Sequence, residues 1–178
     1  MTAGTTWLTD LIRDIPDYPK AGVTFRDITP LLGDPTGFER SINDLVDRFA
    51  GTSVDRVLGV EARGFIIAAP VAYKIGAGFV PVRKAGKLPW AVAREEYQLE
   101  YGTDKLEIHR DALHPGERVL IIDDVLATGG TARAAARLVE ALSGIVVGLG
   151  FVIELADLRG RATLGGHVVE SLVSYGGS

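Results

Sequence analysis

The chain predicts an α/β fold with a mainly parallel central sheet flanked by helices, and three observations carry that prediction. The runs Val57–Val60, Val119–Ile122 and Ile145–Glu154 are short and almost wholly apolar rather than alternating, which suits strands covered on both faces. Stretches able to form helices separate them, the rhythm of strand–helix–strand crossovers. The 178 residues are 47% hydrophobic and 24% charged with no cysteine, enough for a single domain, 1–178, that buries its core without disulfides. The missing cysteine also excludes a thiolate metal site and a cysteine nucleophile. A net charge of −4 disfavours nucleic-acid binding by overall charge, so no nucleic-acid partner is expected.

Taken in order, Met1–Trp7 lacks the basic and apolar regions of a secretory signal. The longest uncharged apolar run, Ile145–Ile153, falls short of the roughly 20 residues that span a bilayer. The expectation is a soluble, cytoplasmic protein with no membrane partner. Residues 16–37 are rich in Pro, Gly and Asp without a clean period and read as an ordered, loop-rich flap. Val57–Val60 is a strand leading into a helical stretch from Gly64, and Gly78–Arg83 is the next strand. Residues 84–104 read as a mobile loop and then a β-hairpin, with Tyr97, Leu99 and Tyr101 on one face and Glu100 on the other. Lys105–Ile108 is its return arm. Val119–Ile122 leads into a helix from Thr131 to Leu142, whose Ala134, Leu138, Ala141 and Leu142 share one face while Arg133, Arg137 and Glu140 lie off it. The last apolar run is Ile145–Glu154.

The strongest local signal is the run from Val119 to Thr131, VLIIDDVLATGGT. A buried strand runs out at Asp123 and Asp124, then Ala127, Thr128, Gly129, Gly130 and Thr131 turn the chain into a helix. Glycines admit a ligand close to the backbone, and the helix N-terminus carries about half a positive charge, so the turn suits an anion. It is neither a Walker A loop nor a dinucleotide fingerprint. A strand-end Asp is often only a helix cap. Two adjacent carboxylates repel each other, however, and need a cation or hydroxyl donors, such as a sugar or the water shell of Mg²⁺. Arg83, Lys84 and Lys87 cluster before the loop, and with Arg63 they form a candidate polyanion site.

The Asp-Asp-x-Leu-Ala-Thr-Gly-Gly-Thr wording resembles the phosphoribosyl-pyrophosphate (PRPP) signature of type I phosphoribosyltransferases, specifically the adenine branch. Gly22–Leu32 (GVTFRDITPLL), Glu61–Phe65 (EARGF), Val82–Pro89 (VRKAGKLP) and Leu99–Thr103 (LEYGT) agree with that branch, and the resemblance runs from about residue 10 to about 175. It implies the type I fold, with a small hood over the base site from about 1–35 and the segment near 154–160, and a flexible loop-hairpin. It also implies a reaction: adenine and PRPP give AMP and pyrophosphate, with Mg²⁺ as cofactor bound mainly through PRPP and no protein metal ligand assigned.

By the same resemblance, Ala127–Thr131 hold the 5′-phosphate and Asp123 and Asp124 the ribose hydroxyls. Arg63, Arg83, Lys84 and Lys87 take the pyrophosphate, and the loop closes to keep water from an oxocarbenium-like centre. Thr24, Phe25, Arg26 and Leu155 meet adenine, although Phe25 read from residues alone is equally an ordinary core aromatic. Glu100 is the proton-transfer candidate, for which a carboxylate pKa near 4.3 is low. A homodimer is implied, and Trp90 could pack on a partner subunit or on its own domain. The chain departs from the pattern at Val92, where many relatives carry a hydroxyl. His109, His114 and His167 are dispersed and read as structural. A nucleotide-sensing regulator would need an added nucleic-acid-binding element, and an orotate or 6-oxopurine enzyme conflicts with the flap around Phe25–Arg26. A receiver-type acidic pair would lie on the first strand, not late in the chain.

Overall fold

Seven strands, in the order β5-β6-β4-β3-β7-β8-β9, form the main sheet of the computed structural model, which describes residues 6–98 and 103–176. The chain divides into two compact units, Met1–Asp44 and Leu45–Ser178. In the first lie α1 (Thr6–Asp10), β1 (Arg13–Ile15), β2 (Phe25–Asp27), α2 (Thr29–Gly33) and most of α3 (Pro35–Arg48). Strands β1 and β2 pair antiparallel, Arg13 opposite Asp27. The segment expected to be a loop-rich flap therefore holds a strand, a short helix opened by Pro30 and the start of α3. Pro suits a first helical turn because its missing N–H has no partner there anyway. Helix α3 was not anticipated. Its Ile42 and Leu45, and Phe49 one residue past its end, are buried at helical spacing.

In the second unit, β3 (Arg56–Val60), α4 (Arg63–Ile75), β4 (Gly78–Lys84), β5 (Val92–Gln98), β6 (Thr103–His109), β7 (Arg118–Leu126), α5 (Gly130–Ala141), β8 (Ile145–Leu155) and β9 (Val169–Tyr175) follow in order. Strands β4, β3, β7, β8 and β9 run parallel to their neighbours, and the β5–β6 hairpin adds antiparallel at the β4 edge. The mainly parallel sheet and the hairpin are as expected. Two boundaries differ. Strand β7 continues through the acidic pair to Leu126, because its ladder with β8 runs on to the Leu126–Glu154 pair. Strand β5 starts at Val92, inside the expected loop. Glu95 disguises its alternation by sitting on the inward side, paired with Arg137 at 2.8 Å.

Leu58, Val60, Val119, Ile121, Leu149 and Phe151 pack with Ala135, Leu138 and Val139 of α5. Burying each such aliphatic side chain contributes roughly 1.5–3 kcal/mol. In α5, Ala134 and Leu138 are buried and Arg133, Arg137 and Glu140 exposed as expected, but Ala141 is exposed and Ala132, Ala135, Ala136 and Val139 take the core positions. Among the described residues no helix is long and apolar enough to cross a membrane.

Candidate active site

Three adjacent parallel strands, β4, β3 and β7, deliver charged residues at their carboxyl ends, the usual ligand side of such a sheet. Strand β3 ends at Val60, Glu61 and Ala62 turn the chain through a cis peptide bond, and α4 opens with Arg63. Strand β7 carries Asp123 and Asp124, β4 ends with Arg83 and Lys84, and Lys87 follows in the next turn.

The acidic pair is crowded. The Asp124 amide donates to Asp123 Oδ1 at 2.9 Å. Burial, reinforced by the Asp124 charge, pushes the Asp123 carboxyl well above the usual range. Asp124 is 6% exposed, and Arg63 Nε stands 2.6 Å from its Oδ2. That nitrogen is aimed off-line, so this buried oxygen accepts no aligned hydrogen bond. A buried acceptor left in that state calls for a donor from elsewhere.

Past Leu126, Ala127–Gly129 form the turn into α5. Gly129 has φ +84°, a left-handed conformation open to glycine at no cost, and no side chain caps the helix. The leading amides of α5 are thus available to an anion. A cavity of about 320 Å³ lies alongside, bordered by Tyr97, Thr128, Gly130, Arg133 and Thr163.

The cations are held by acids. Glu61 accepts from Arg83 Nε at 3.3 Å and from the Lys84 amide at 3.1 Å, and it pairs with Lys87. Burial raises the Glu61 pKa, but these donors outweigh it and hold the carboxyl below its ordinary value. Arg83 also donates to the Lys87 carbonyl at 3.0 Å. Lys84 Nζ turns to Asp104 at 3.0 Å, which raises the lysine pKa. Glu107, 1% exposed, accepts from the Gly86 amide at 2.8 Å and pairs with Arg94. Two carboxylates, Glu61 just past the end of β3 and Glu107 on β6, therefore fix the backbone of Lys84–Lys87.

A phosphoribosyl transferase domain matches residues 36–163. An adenine phosphoribosyltransferase of Solibacter usitatus is 61% identical over 94% of this chain and 97% of that protein. The crystal structure of adenine phosphoribosyltransferase from Thermoanaerobacter pseudethanolicus superposes with a TM-score of 0.93 at 51% identity, covering 95% of this chain and 98% of that one. The chain belongs to the adenine phosphoribosyltransferase family. Its fold is the type I phosphoribosyltransferase fold. The Saccharomyces cerevisiae adenine phosphoribosyltransferase, solved with an imino-altritol bisphosphate and adenine, superposes with a TM-score of 0.89 at 38% identity over 94% of this chain and 97% of that one.

The second unit brings together Arg63, Arg83, Lys87, Asp123, Asp124 and the Ala127–Thr131 turn, with Lys84 at the edge toward β6. Glu100 lies outside the described residues, as do Leu99 and Tyr101. In the first unit, Thr24 precedes β2, Phe25 packs edge-on against Tyr18 with ring centres 5.4 Å apart, and Arg26 pairs with Asp14. Leu155, half-buried, ends β8. Among the described residues no group of three or more His, Asp or Glu side chains is arranged to hold a metal ion. The sequence pattern alone assigns no role to Glu61, Asp104 or Glu107. Their signal was indirect, a cluster of cations with no assigned counter-charge.

Proposed function

We propose that the chain transfers the 5-phosphoribosyl group of PRPP, carried with Mg²⁺, to adenine, with the charged groups above dividing the work. Adenine N9 bonds to C1′, the C1′–O bond breaks, and pyrophosphate leaves with the electron pair. The observation that carries this reading is the buried Asp124 oxygen without an aligned donor, three residues before the uncapped turn into α5.

The amides of Ala127–Thr131 bind the 5′-phosphate. Asp123 and Asp124 accept the ribose hydroxyls and stabilise the positive charge growing at C1′, an electrostatic contribution of several kcal/mol. Arg63, Arg83, Lys84 and Lys87 take the pyrophosphate. Binding is then an exchange of partners: Arg63 leaves Asp124 for the leaving group as hydroxyls replace it. Mg²⁺ supplies charge neutralisation on PRPP. Glu100 takes the base proton, Thr24, Phe25, Arg26 and Leu155 are assigned to adenine, and the hood assignment of 1–35 and 154–160 belongs to the same reading.

Charged PRPP and AMP are retained in the cytoplasm, where we place the reaction. A homodimer is supported by the outer side of α4, where Ile66 and Tyr73, two turns apart, are 45% and 89% exposed, with Phe79 of β4 at 37%. The test is a base panel of adenine, hypoxanthine, guanine and orotate with PRPP and Mg²⁺, scored for pyrophosphate release. Adenine alone reacts. Turnover of a 6-oxopurine at the adenine rate overturns the assignment.

A further inference from the structure

The phosphate turn has a back wall. Behind Ala127–Gly129 lies the 3₁₀ turn Gly160–Leu164, so close that neither facing glycine has room for a side chain. A Cβ on Gly160 would run into the Ala127 carbonyl oxygen and stand 2.9 Å from the Gly129 nitrogen. A Cβ on Gly129 would meet the Thr163 hydroxyl and stand 2.6 Å from the Gly160 carbonyl oxygen. Thr163 Oγ1 donates to that Gly160 carbonyl at 2.7 Å and lies 3.4 Å from the Thr128 carbonyl. Leu164, 2% exposed, anchors the end of the turn in the core.

An ion pair ties this wall to the sheet. Arg161 Nε donates to Glu154 Oε1 at 2.9 Å and one terminal nitrogen to Oε2 at 2.5 Å, while the other reaches the Val169 carbonyl at 2.5 Å. Glu154 is 7% exposed and also accepts from Ser171 Oγ at 2.8 Å. It stands on β8 directly beside Leu126, the last β7 residue before the phosphate turn. A two-point guanidinium–carboxylate pair fixes orientation as well as distance, which a lysine cannot reproduce. One buried carboxylate thus joins β8, β9 and the turn backing the phosphate loop. The loop needs such a brace, because Gly129 and Gly130 leave its backbone many conformations and only one set directs the amides at a phosphate.

We propose that Arg161, clamped by Glu154, is a positioning residue for the 5′-phosphate site: it presses Gly160 and Thr163 against Ala127–Gly129 and so fixes the amides that receive the phosphate. This rests on the phosphate reading of that turn. Neither side chain touches substrate. The pair acts through the backbone it holds.

Calorimetric titration of the wild type, Arg161→Lys and Gly160→Ala with AMP, adenosine and magnesium pyrophosphate tests it. Arg161→Lys keeps the charge but loses the fork, and Gly160→Ala pushes on the loop directly. Both are expected to raise the Kd for AMP on the order of tenfold, the scale of a sub-ångström misplacement, with pyrophosphate and adenosine affinities unchanged. Unchanged AMP affinity in both variants, in a wild type that holds AMP more tightly than adenosine, overturns the inference and leaves the phosphate reading standing. Equal losses for AMP and pyrophosphate, with a lowered Tm, make the pair a general strut and also overturn it. A wild type that holds AMP no more tightly than adenosine removes the phosphate reading and the inference together.

Discussion

Gly64 offers a one-methyl test of the acidic pair. It is the second residue of α4 and does not have a positive φ. Alanine at an ordinary helical position stabilises by about 0.5–1 kcal/mol over glycine. Here the added Cβ would stand 2.6 Å from Asp123 Oδ1 and 3.3 Å from the Ile122 carbonyl oxygen. An ordinary carbon–oxygen contact is about 3.4 Å, so the carboxylate must retreat by roughly 0.8 Å. Overpacking of this kind costs about 1–3 kcal/mol. Set against the helical gain, the net destabilisation is about 0–2.5 kcal/mol, a Tm loss of at most about 10 °C for a chain of this size. At the reacting centre, a displacement near 1 Å costs on the order of 10²-fold in rate, about 2.7 kcal/mol of barrier. Activity should therefore fall much further than stability. Steady-state AMP formation with varied PRPP, beside a thermal melt, separates the two. A Gly64→Ala protein with wild-type kcat/KM for PRPP would mean that the position of Asp123 is irrelevant to the chemistry.

The remaining predictions address the same charges. Glu61→Gln releases Arg83, Lys87 and the Lys84 amide from their common acceptor. The KM for PRPP rises about tenfold while that for adenine holds, and an adenine KM that moves equally refutes the positioning role of Glu61. AMP at 100 times its Kd stabilises the wild type by about 2.7 kcal/mol, and Asp124→Asn blunts that melting shift; an undiminished shift means that the carboxylate does not meet the ligand. Asp104, Glu107 and Glu154 titrate below their ordinary values, respectively because Lys84 outweighs burial, the Gly86 amide donates and Arg161 pairs. Their stabilisation is present above the unfolded carboxylate range and is lost as pH falls through the lowered folded values. Asp123 has the opposite sign: its folded pKa is raised, so ionisation costs stability once pH exceeds the unfolded value. Asp123→Asn is accordingly at least as stable as wild type at pH 7 yet inactive, and a lower melting temperature at that pH contradicts the assignment. Tyr73→Glu on the exposed side of α4 is expected to convert the proposed homodimer to monomers in light scattering; an unshifted dimer mass moves the contact elsewhere, and a monomeric wild type overturns the homodimer.

The sheet was legible because its strands are continuous apolar runs, and β3, β7 and β8 fall where those runs lie. The uncapped turn after β7 was legible for a related reason: adjacent acids and glycines are out of place at the end of an apolar, buried strand. The strand boundaries were less so. A charge usually ends an apolar strand, but Asp123 and Asp124 stay in the β7–β8 ladder, and Glu95 hides the period of β5 by facing inward onto Arg137. Helix α3 shows in the spacing of Ile42 and Leu45, with Phe49 just past its end, but the Pro- and Gly-rich stretch before it has the composition of a loop. The acids that hold the cations were out of reach for another reason. Glu61 meets Arg83 across 22 residues and Glu107 meets Gly86 across 21, distances that no local pattern encodes.

The site's internal pairs differ in how readily they give way. Lys87, Arg83 and Lys84 reach their acids with side chains 47%, 35% and 53% exposed. Solvent screens the cation ends of these contacts, and Glu61, itself 10% exposed, keeps the Lys84 amide as a donor when its cations leave. A pyrophosphate carries several charges on a compact group, so it can take these cations at little cost. Asp124 is different: its carboxylate is buried against a nitrogen that approaches without an aligned bond. Losing Arg63 would leave it uncompensated, which for a buried charge costs several kcal/mol unless new donors arrive at once. Ribose hydroxyls can supply them, and they arrive on the same molecule as the phosphates that draw Arg63 away. Pyrophosphate alone would draw Arg63 off without replacing it, so PRPP should bind more tightly than the sum of its parts predicts. Comparing the Kd of PRPP with those of pyrophosphate and ribose 5-phosphate, in wild type and in Asp124→Asn, measures that coupling; a coupling that survives the substitution would locate its origin outside the Arg63–Asp124 pair.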